Sequence, residues 1–527
     1  FFSLWRSFLF EEISEEISML DDLTKETKWI SGNSAVTADT IYTHDSFGNV
    51  LTVTDPRGAL TSYVYDISKS KIVSETNHLN QTTNYEYING FLKKVTDSNG
   101  RITTYGYSDK GWLRRITTAN TGGSQNQIWW LQNENGNWAI YSQNQLVDNT
   151  YEDNVQALDN LLRPVATIRQ NINHTTEVLS GWYLKERKNY DALGRVISTS
   201  APFATPNTQW VNLLGVNIPP ELTTTKSYDV FDRSTAITDA LGTTTLLYEG
   251  PWTTTTDANG KQKRATTDAY GNIIQVEEFN GSNIYTTNYA YDIRNLLSRV
   301  TDALGNLRNF TYNNAGWLTN SEDLHDQSDS NFGVSSFTYD LNGNQLVETK
   351  PDGVTVTRVY DMLNRPISLD GSTTVPVDHT FTYDSCTNGK GRICATNSTL
   401  ENGVTLSKSY VYGISGAPTS TTLSTLGNNY TTSYLYNKSD EVSKVIYPDG
   451  TILRTVFGDW ALPQDIYLTL PGGTENLYAS MTYHHTGKPS TISVTNGPNT
   501  IYTYDDAKLY RLARKQSSAN SPGGGTI

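Results

Sequence analysis

Tyr42-Thr43-His44-Asp45-Ser46-Phe47-Gly48-Asn49-Val50-Leu51-Thr52-Val53-Thr54-Asp55-Pro56-Arg57-Gly58 holds two turns and the strand between them. Asp45 to Gly48 and Asp55 to Gly58 share the form Asp-x-x-Gly. The first Asp can accept hydrogen bonds from backbone N–H groups two residues on. The closing Gly takes the positive φ that a type I turn plus bulge demands in a hairpin. The residues between the turns suit a strand, and after Gly58 the pattern restarts at Tyr63-Val64-Tyr65-Asp66.

The unit therefore reads aromatic-x-Tyr-Asp-x-x-Gly, about six strand residues, Thr-Asp-x-x-Gly, and strand again. First-half turns recur at Tyr190-Asp191 to Gly194, Tyr312 to Gly316 and Tyr339-Asp340 to Gly343, with Tyr291 and Tyr360-Asp361 at matching places. Second-half turns recur at Asp97 to Gly100, Asp239 to Gly242, Asp257 to Gly260 and Asp302 to Gly305. Tyr42, Tyr65, Tyr87 and Tyr107 are spaced by 23, 22 and 20 residues, a period in the range of repeat architectures. Where the closing Gly is missing, Asp232, Asn364 and Asp440 stand in, the side-chain types that best tolerate the left-handed region. Lys69 breaks the rule and predicts a different turn at Asp66. Aromatic pairs at i and i+2, such as Phe337/Tyr339 and Tyr410/Tyr412, share one strand face, so stacked hairpins should form an aromatic ladder. The turn Asp and Gly and the ladder Tyr are the residues expected to matter most.

This repeat resembles the Rhs/YD-repeat family, which includes bacterial Rhs polymorphic toxins, the B and C components of insecticidal toxin complexes, and animal teneurins. The resemblance covers roughly residues 40–118 and 185–510. It implies an all-β fold of tandem antiparallel β-hairpins forming a long spiralling sheet, part of a hollow shell or cocoon. It also implies a secreted or cell-surface protein. In bacterial relatives such a shell encloses a C-terminal toxin payload, so the implied partners are the chain's own payload or a shell-closing domain. In teneurins it supports adhesion, and the competing reading is a module that binds a cell-surface glycan or protein. Family members carry a closing region with Asp-Pro-x-Gly motifs before the payload. Asp55-Pro56-Arg57-Gly58 shares those letters but sits in an early repeat, so self-cleavage and toxin activity are expected beyond Ile527. Unpaired strand edges at the ends should promote self-association.

Composition agrees with β structure: 33 Tyr and 11 Trp against 3 Met, with 39 Gly for turns. A net charge of −14 disfavours general nucleic-acid binding. No apolar run reaches the length of a membrane span. The apolar start, Phe1 to Phe10, lacks an initiator Met and reads as the interior of a longer frame, and Ser521 to Ile527 as a break in a loop.

Five segments follow. Residues 1–39 are an N-terminal segment, in which acids among Ile13, Ile17, Met19 and Leu20 over 10–30 predict a short amphipathic helix or linker. Residues 40–118 and 222–510 are clean repeats, and 511–527 a truncated tail. Residues 119–221 are degenerate repeats with an insertion. There Trp129, Trp130, Trp138 and Trp182 are expected in a core, and prolines over 200–221 in a long loop.

Candidate chemistry is sparse. Cys386 and Cys394 flank the hairpin signal Asn388-Gly389 and are read as a disulfide across it, implying an oxidising compartment, with free thiols the alternative. Zinc would need about four ligands and no second pair exists. His484-His485 occupy the turn of a degenerate repeat, where a turn role outweighs metal binding. The turn acids come one at a time, too few for calcium. No His-Glu-x-x-His, Gly-x-Ser-x-Gly or phosphate loop occurs, so no catalytic, cofactor or metal residues are assigned and no enzyme is expected.

Overall fold

The computed structural model describes residues 13–17, 22–30, 36–134, 136–147, 150–173, 178–207, 210–371, 377–400, 402–458 and 462–518. Within them, 43 strands form one continuous sheet. Neighbours in sequence pair antiparallel, as from Val334–Tyr339 through Gln345–Thr349 to Thr355–Tyr360. The ladder slips by one residue before the repeat tyrosine, between Thr338 and Tyr339 and between Val359 and Tyr360. These are the bulges that close an Asp-x-x-Gly turn, and each adds local twist and bend to the strip.

The strip is a single layer. Its accessible surface is 30,677 Å², against about 19,000 Å² for a compact chain of 58.6 kDa. Fully buried aliphatics gather in one place, where Ala139, Val155, Ala157, Ala166, Ile168 and Leu184 of long strands meet Leu213. Leu213 lies on the 3-10 segment Trp210–Gly215, within an excursion between Val196–Ser200 and Thr223–Tyr228, two strands that pair directly.

Four sequence expectations change here. The helix over residues 10–30 is absent from the described part: Ile13–Ile17 and Leu23–Trp29 are antiparallel strands, and the latter pairs with Thr37–His44. Acids spaced among Ile and Leu fit either period, and pairing with the next strand decides. Residues 201–207 and 210–222, within the stretch expected as a long loop, hold the short strand Phe203–Asn207 and two 3-10 turns, and Phe203, Val211, Leu214, Val216 and Ile218 plug against the buried cluster. The aliphatics, not the tryptophans, form the buried cluster: Trp130 stacks on Tyr141 at 5.1 Å and Trp138 remains 39% exposed. The side chain of Trp182 lies outside the described residues. Lys69 belongs to the same turn family, with φ +56° and one added residue, Ser70.

Because strands alternate in direction, turns alternate between two rims. Turns after tyrosine strands, such as Asp340–Gly343, lie on one, the Tyr rim. Turns after threonine strands, such as Asp55–Gly58, lie on the other, the Thr rim.

Candidate functional site: turns, locks and the seam

Each Asp-x-x-Gly turn is held by its carboxylate. Asp191 Oδ1 accepts the N–H groups of Leu193 and Arg195, both at 2.9 Å, while Gly194 N–H donates to Asp191 C=O at 3.0 Å. Asp45, Asp55, Asp97, Asp257, Asp302, Asp340 and Asp361 make the same pair of side-chain contacts. The closing glycines Gly48, Gly58, Gly100, Gly194, Gly260, Gly305, Gly316 and Gly343 all have positive φ, from +76° at Gly260 to +90° at Gly58. Asp232, Asn364 and Asp440 adopt +64°, +60° and +59°, as their residue types imply. Asp239–Gly242 differs: it is a two-residue hairpin in which Asp239 pairs with Gly242, and Asp239 Oδ1 accepts only Leu241 N–H.

The ladder tyrosines act through their hydroxyls. Tyr190, Tyr291, Tyr312, Tyr339 and Tyr360 donate to the carbonyls of Pro164, Ile273, Leu297, Leu318 and Gln345, each in the preceding hairpin. Half-burial pushes the Tyr312 and Tyr339 phenols above their ordinary range. Tyr42 is half-buried and its phenol is raised by burial and by Glu26.

A further set of residues sits at the position after the turn's closing residue. Arg163, Arg195, Arg233 and Arg365 each donate Nε–H to their turn Asp at 2.7 Å. Each guanidinium then covers the ring of the next repeat tyrosine, at 4.5 Å for Tyr190, 4.9 Å for Tyr228, 4.2 Å for Tyr248 and 4.3 Å for Tyr383. Asn272, Asn306 and Asn344 fill the same place with their amides. The signal is an Arg or Asn four residues after the turn Asp.

The strip winds onto itself. Arg57 on the Thr rim donates to the carbonyls of Asp361, at 2.7 Å, and Tyr360, at 3.0 Å, 304 and 303 residues away. Asn342 Nδ2 donates to Asp55 at 2.7 Å. Asn99 and Lys390 exchange two hydrogen bonds at 3.0 and 2.9 Å. Thr121 N–H donates to Asp440 at 2.8 Å, and the Thr121 and Ser415 hydroxyls meet at 2.6 Å. Gly122 passes so close to the Asn437 carbonyl that a Cβ would collide with it. The separations, 287 to 319 residues, run in register along the chain: the Thr rim of a first winding seats on the Tyr rim of a second.

At the far end of this seam, His485 and Tyr510 abut Pro202. The His484–Gly487 turn matches expectation. Burial and then the His484 charge push the His485 imidazole down to about 4, and burial and Asp506 raise the Tyr510 phenol to about 12.

Cys386 and Cys394 form a disulfide. The loop is not a two-residue Asn-Gly hairpin: two successive turns, Cys386–Gly389 and Gly389–Arg392, fill it and present Lys390 to Asn99. A hollow of about 650 Å³ between Asp159–Arg163 and Leu214–Asn217 is lined by three cations already in use. Arg163 serves Asp159, Arg187 serves the Leu214 and Val216 carbonyls, and Lys188 serves Glu186. Among the described residues no group of three or more His, Cys, Asp or Glu is placed to hold a metal, and no helix is long and apolar enough to cross a membrane.

A single-layer sheet of Asp-turn hairpins wound on itself defines the class: a repeat-built β shell. Residues 89–123 match the family model "RHS Repeat". The chain's fold is that of the crystal structure of TcdB2-TccC3, with a TM-score of 0.76 at 15% identity over 96% of this chain and 30% of that one. TcdB2-TccC3 without its hypervariable C-terminal region gives 0.77 at 14%, over 97% and 32%. A Photorhabdus luminescens Tc holotoxin pore gives 0.75 at 13%, over 94% and 31%. The chain thus spans about a third of the length of these structures. No curated protein sequence matches it.

Proposed function

We propose that this chain is wall: part of an encapsulating shell, acting outside the cell, that keeps a polypeptide cargo from solvent and proteases. The observation that carries this reading is the seam. Hairpins alone would make a ribbon; contacts at a spacing of one winding turn the ribbon into a continuous wall. The match over 97% of the chain to a toxin-complex structure solved without a hypervariable C-terminal region supports a cargo separable from the wall. The chain itself performs no catalysis in this reading: its carboxylates, guanidiniums and phenols are spent on turns and locks.

The test appends an unstructured, protease-sensitive peptide to the C terminus and measures its cleavage against the same peptide on the N terminus. Sequestration expects at least tenfold slower cleavage at the C terminus, and Arg57→Ala with Thr121→Val should erode that protection by opening the seam. Equal cleavage at both ends contradicts the proposal.

A further inference from the structure

A hollow of about 90 Å³ lies within the seam itself, where the first winding meets the turn His484–Gly487 of the second. Arg169, Tyr183 and Lys185 line it from the strands Pro164–Asn173 and Val178–Tyr190. Pro202 lines it from the segment that plugs against the buried cluster, and His485 and Thr486 from the second winding. One water needs about 10–15 Å³ of such space, so the hollow has room for roughly six waters, or for one tetrahedral oxyanion. Its lining holds two cations and an imidazole and no carboxylate. Glu152, outside the lining, pairs with Arg169, and Lys185 makes no ion pair with a described residue. Cations that share one hollow repel each other, and an anion between them removes that cost.

His485 brings a group that changes with pH. Its ring bonds the Pro202 carbonyl, while its buried Nε2 has no hydrogen-bond partner among the described residues. The bond to Pro202 is therefore made by Nδ1–H, and Nε2 of the neutral ring carries a lone pair. Protonation turns Nε2 into a donor. The charged groups around the ring are His484, at 3.9 Å between centroids, Asp506, and Lys488 beside His484, while Tyr510 meets it edge-on at 4.9 Å. Burial and the His484 charge hold the imidazole at about 4, and an anion facing Nε2 would raise it.

We propose that this hollow binds a small tetrahedral oxyanion of the sulfate or phosphate class, held by Arg169 and Lys185 of the first winding and by Nε2–H of protonated His485 in the second. The anion ties the two windings together by charge at a point where the seam is otherwise made of neutral hydrogen bonds, such as that of Tyr510 to Pro202. Acid then has opposite effects with and without it. Protonation of His485 loosens the contact when no anion is at hand, and completes the site when one is. The inference concerns the seam alone and does not depend on any cargo.

Sulfate is the probe, because it stays a dianion wherever His485 titrates, so any pH dependence comes from the protein. Sulfate is titrated into the full chain at constant ionic strength, balanced with chloride, and the histidine ring signals are followed by NMR. The His485 signal is identified by its loss in His485→Gln. The expected result is a saturable shift of that signal, at least about threefold tighter at about pH 5 than at about pH 7.5. Lys185→Gln should weaken binding at least about fivefold with circular dichroism unchanged. No saturable shift at the lower pH overturns the inference, as does equal affinity at both pH values or undiminished affinity in Lys185→Gln. So does a shift given by a sulfated disaccharide, too large for the hollow, but not by sulfate.

Discussion

The hydroxyl of Tyr510 donates to the carbonyl oxygen of Pro202 at 2.6 Å, across 308 residues of chain. The tyrosine is 3% exposed and sits at φ +56°, a region a bulky side chain enters only when its surroundings hold it there. The contact fastens the last described turn to the plug of the first winding. Tyr510→Phe keeps the ring and removes one of the donors to the half-buried Pro202 carbonyl, which His485 also contacts. The expected cost is about 0.5–1.5 kcal/mol in a denaturant melt, with circular dichroism unchanged.

Acid should loosen the molecule in two stages. His485 has a folded pKa of about 4, below its unfolded value of about 6.5, so its neutral form is the one that fits. Stability is fully present above about pH 6.5 and falls as pH drops toward about 4, where it levels off. The turn carboxylates come next. Asp191 is held below the usual carboxylate range by the Arg195 backbone N–H and guanidinium, and Asp302 by the Asn306 amide. Their share is present above about pH 3.9 and is lost as pH falls through the lower folded values. Melting temperature against pH should show both, and His485→Gln should flatten only the upper stage.

Gly242→Val should destabilise by more than about 1 kcal/mol. Gly242 has φ +130°, and a Cβ there would stand 2.8 Å from the Ala258 Cβ. A thermal melt equal to the parent's would contradict the assignment of this turn.

Reducing the Cys386–Cys394 bond opens a short loop, 8 residues in sequence separation, for which chain entropy gives about 2–3 kcal/mol. The loss should centre on the seam, since this loop presents Lys390 to Asn99. Hydrogen exchange with and without reductant should show the Asp97–Arg101 turn losing protection along with 384–392.

What was legible in the sequence was what is local. Asp191 reaches only two and four residues ahead, so its turn is written in five letters. Tyr312 reaches one hairpin back, so a spacing near 20 residues carries it. The arginines at 163, 195, 233 and 365 are equally local to their turn Asp, but the ring each covers belongs to a following repeat, which a turn motif alone does not name. The seam was not legible by such means. Whether Arg57 meets Asp361 depends on the summed twist and bulging of all the strands between them, and no short motif records that sum. The segment at 10–30 failed for the opposite reason: its pattern fitted two periods, and only the pairing of Leu23–Trp29 with Thr37–His44 chose between them.

The most direct measurement is a cross-link across the seam. Thr121 and Ser415 touch through their hydroxyls at 2.6 Å although 294 residues separate them. In Thr121→Cys/Ser415→Cys, mild oxidation of dilute protein should join the pair within one chain, seen as a single linked peptide after digestion. If the linked peptide does not form, or forms only between chains, the strip does not wind upon itself and the wall is not there.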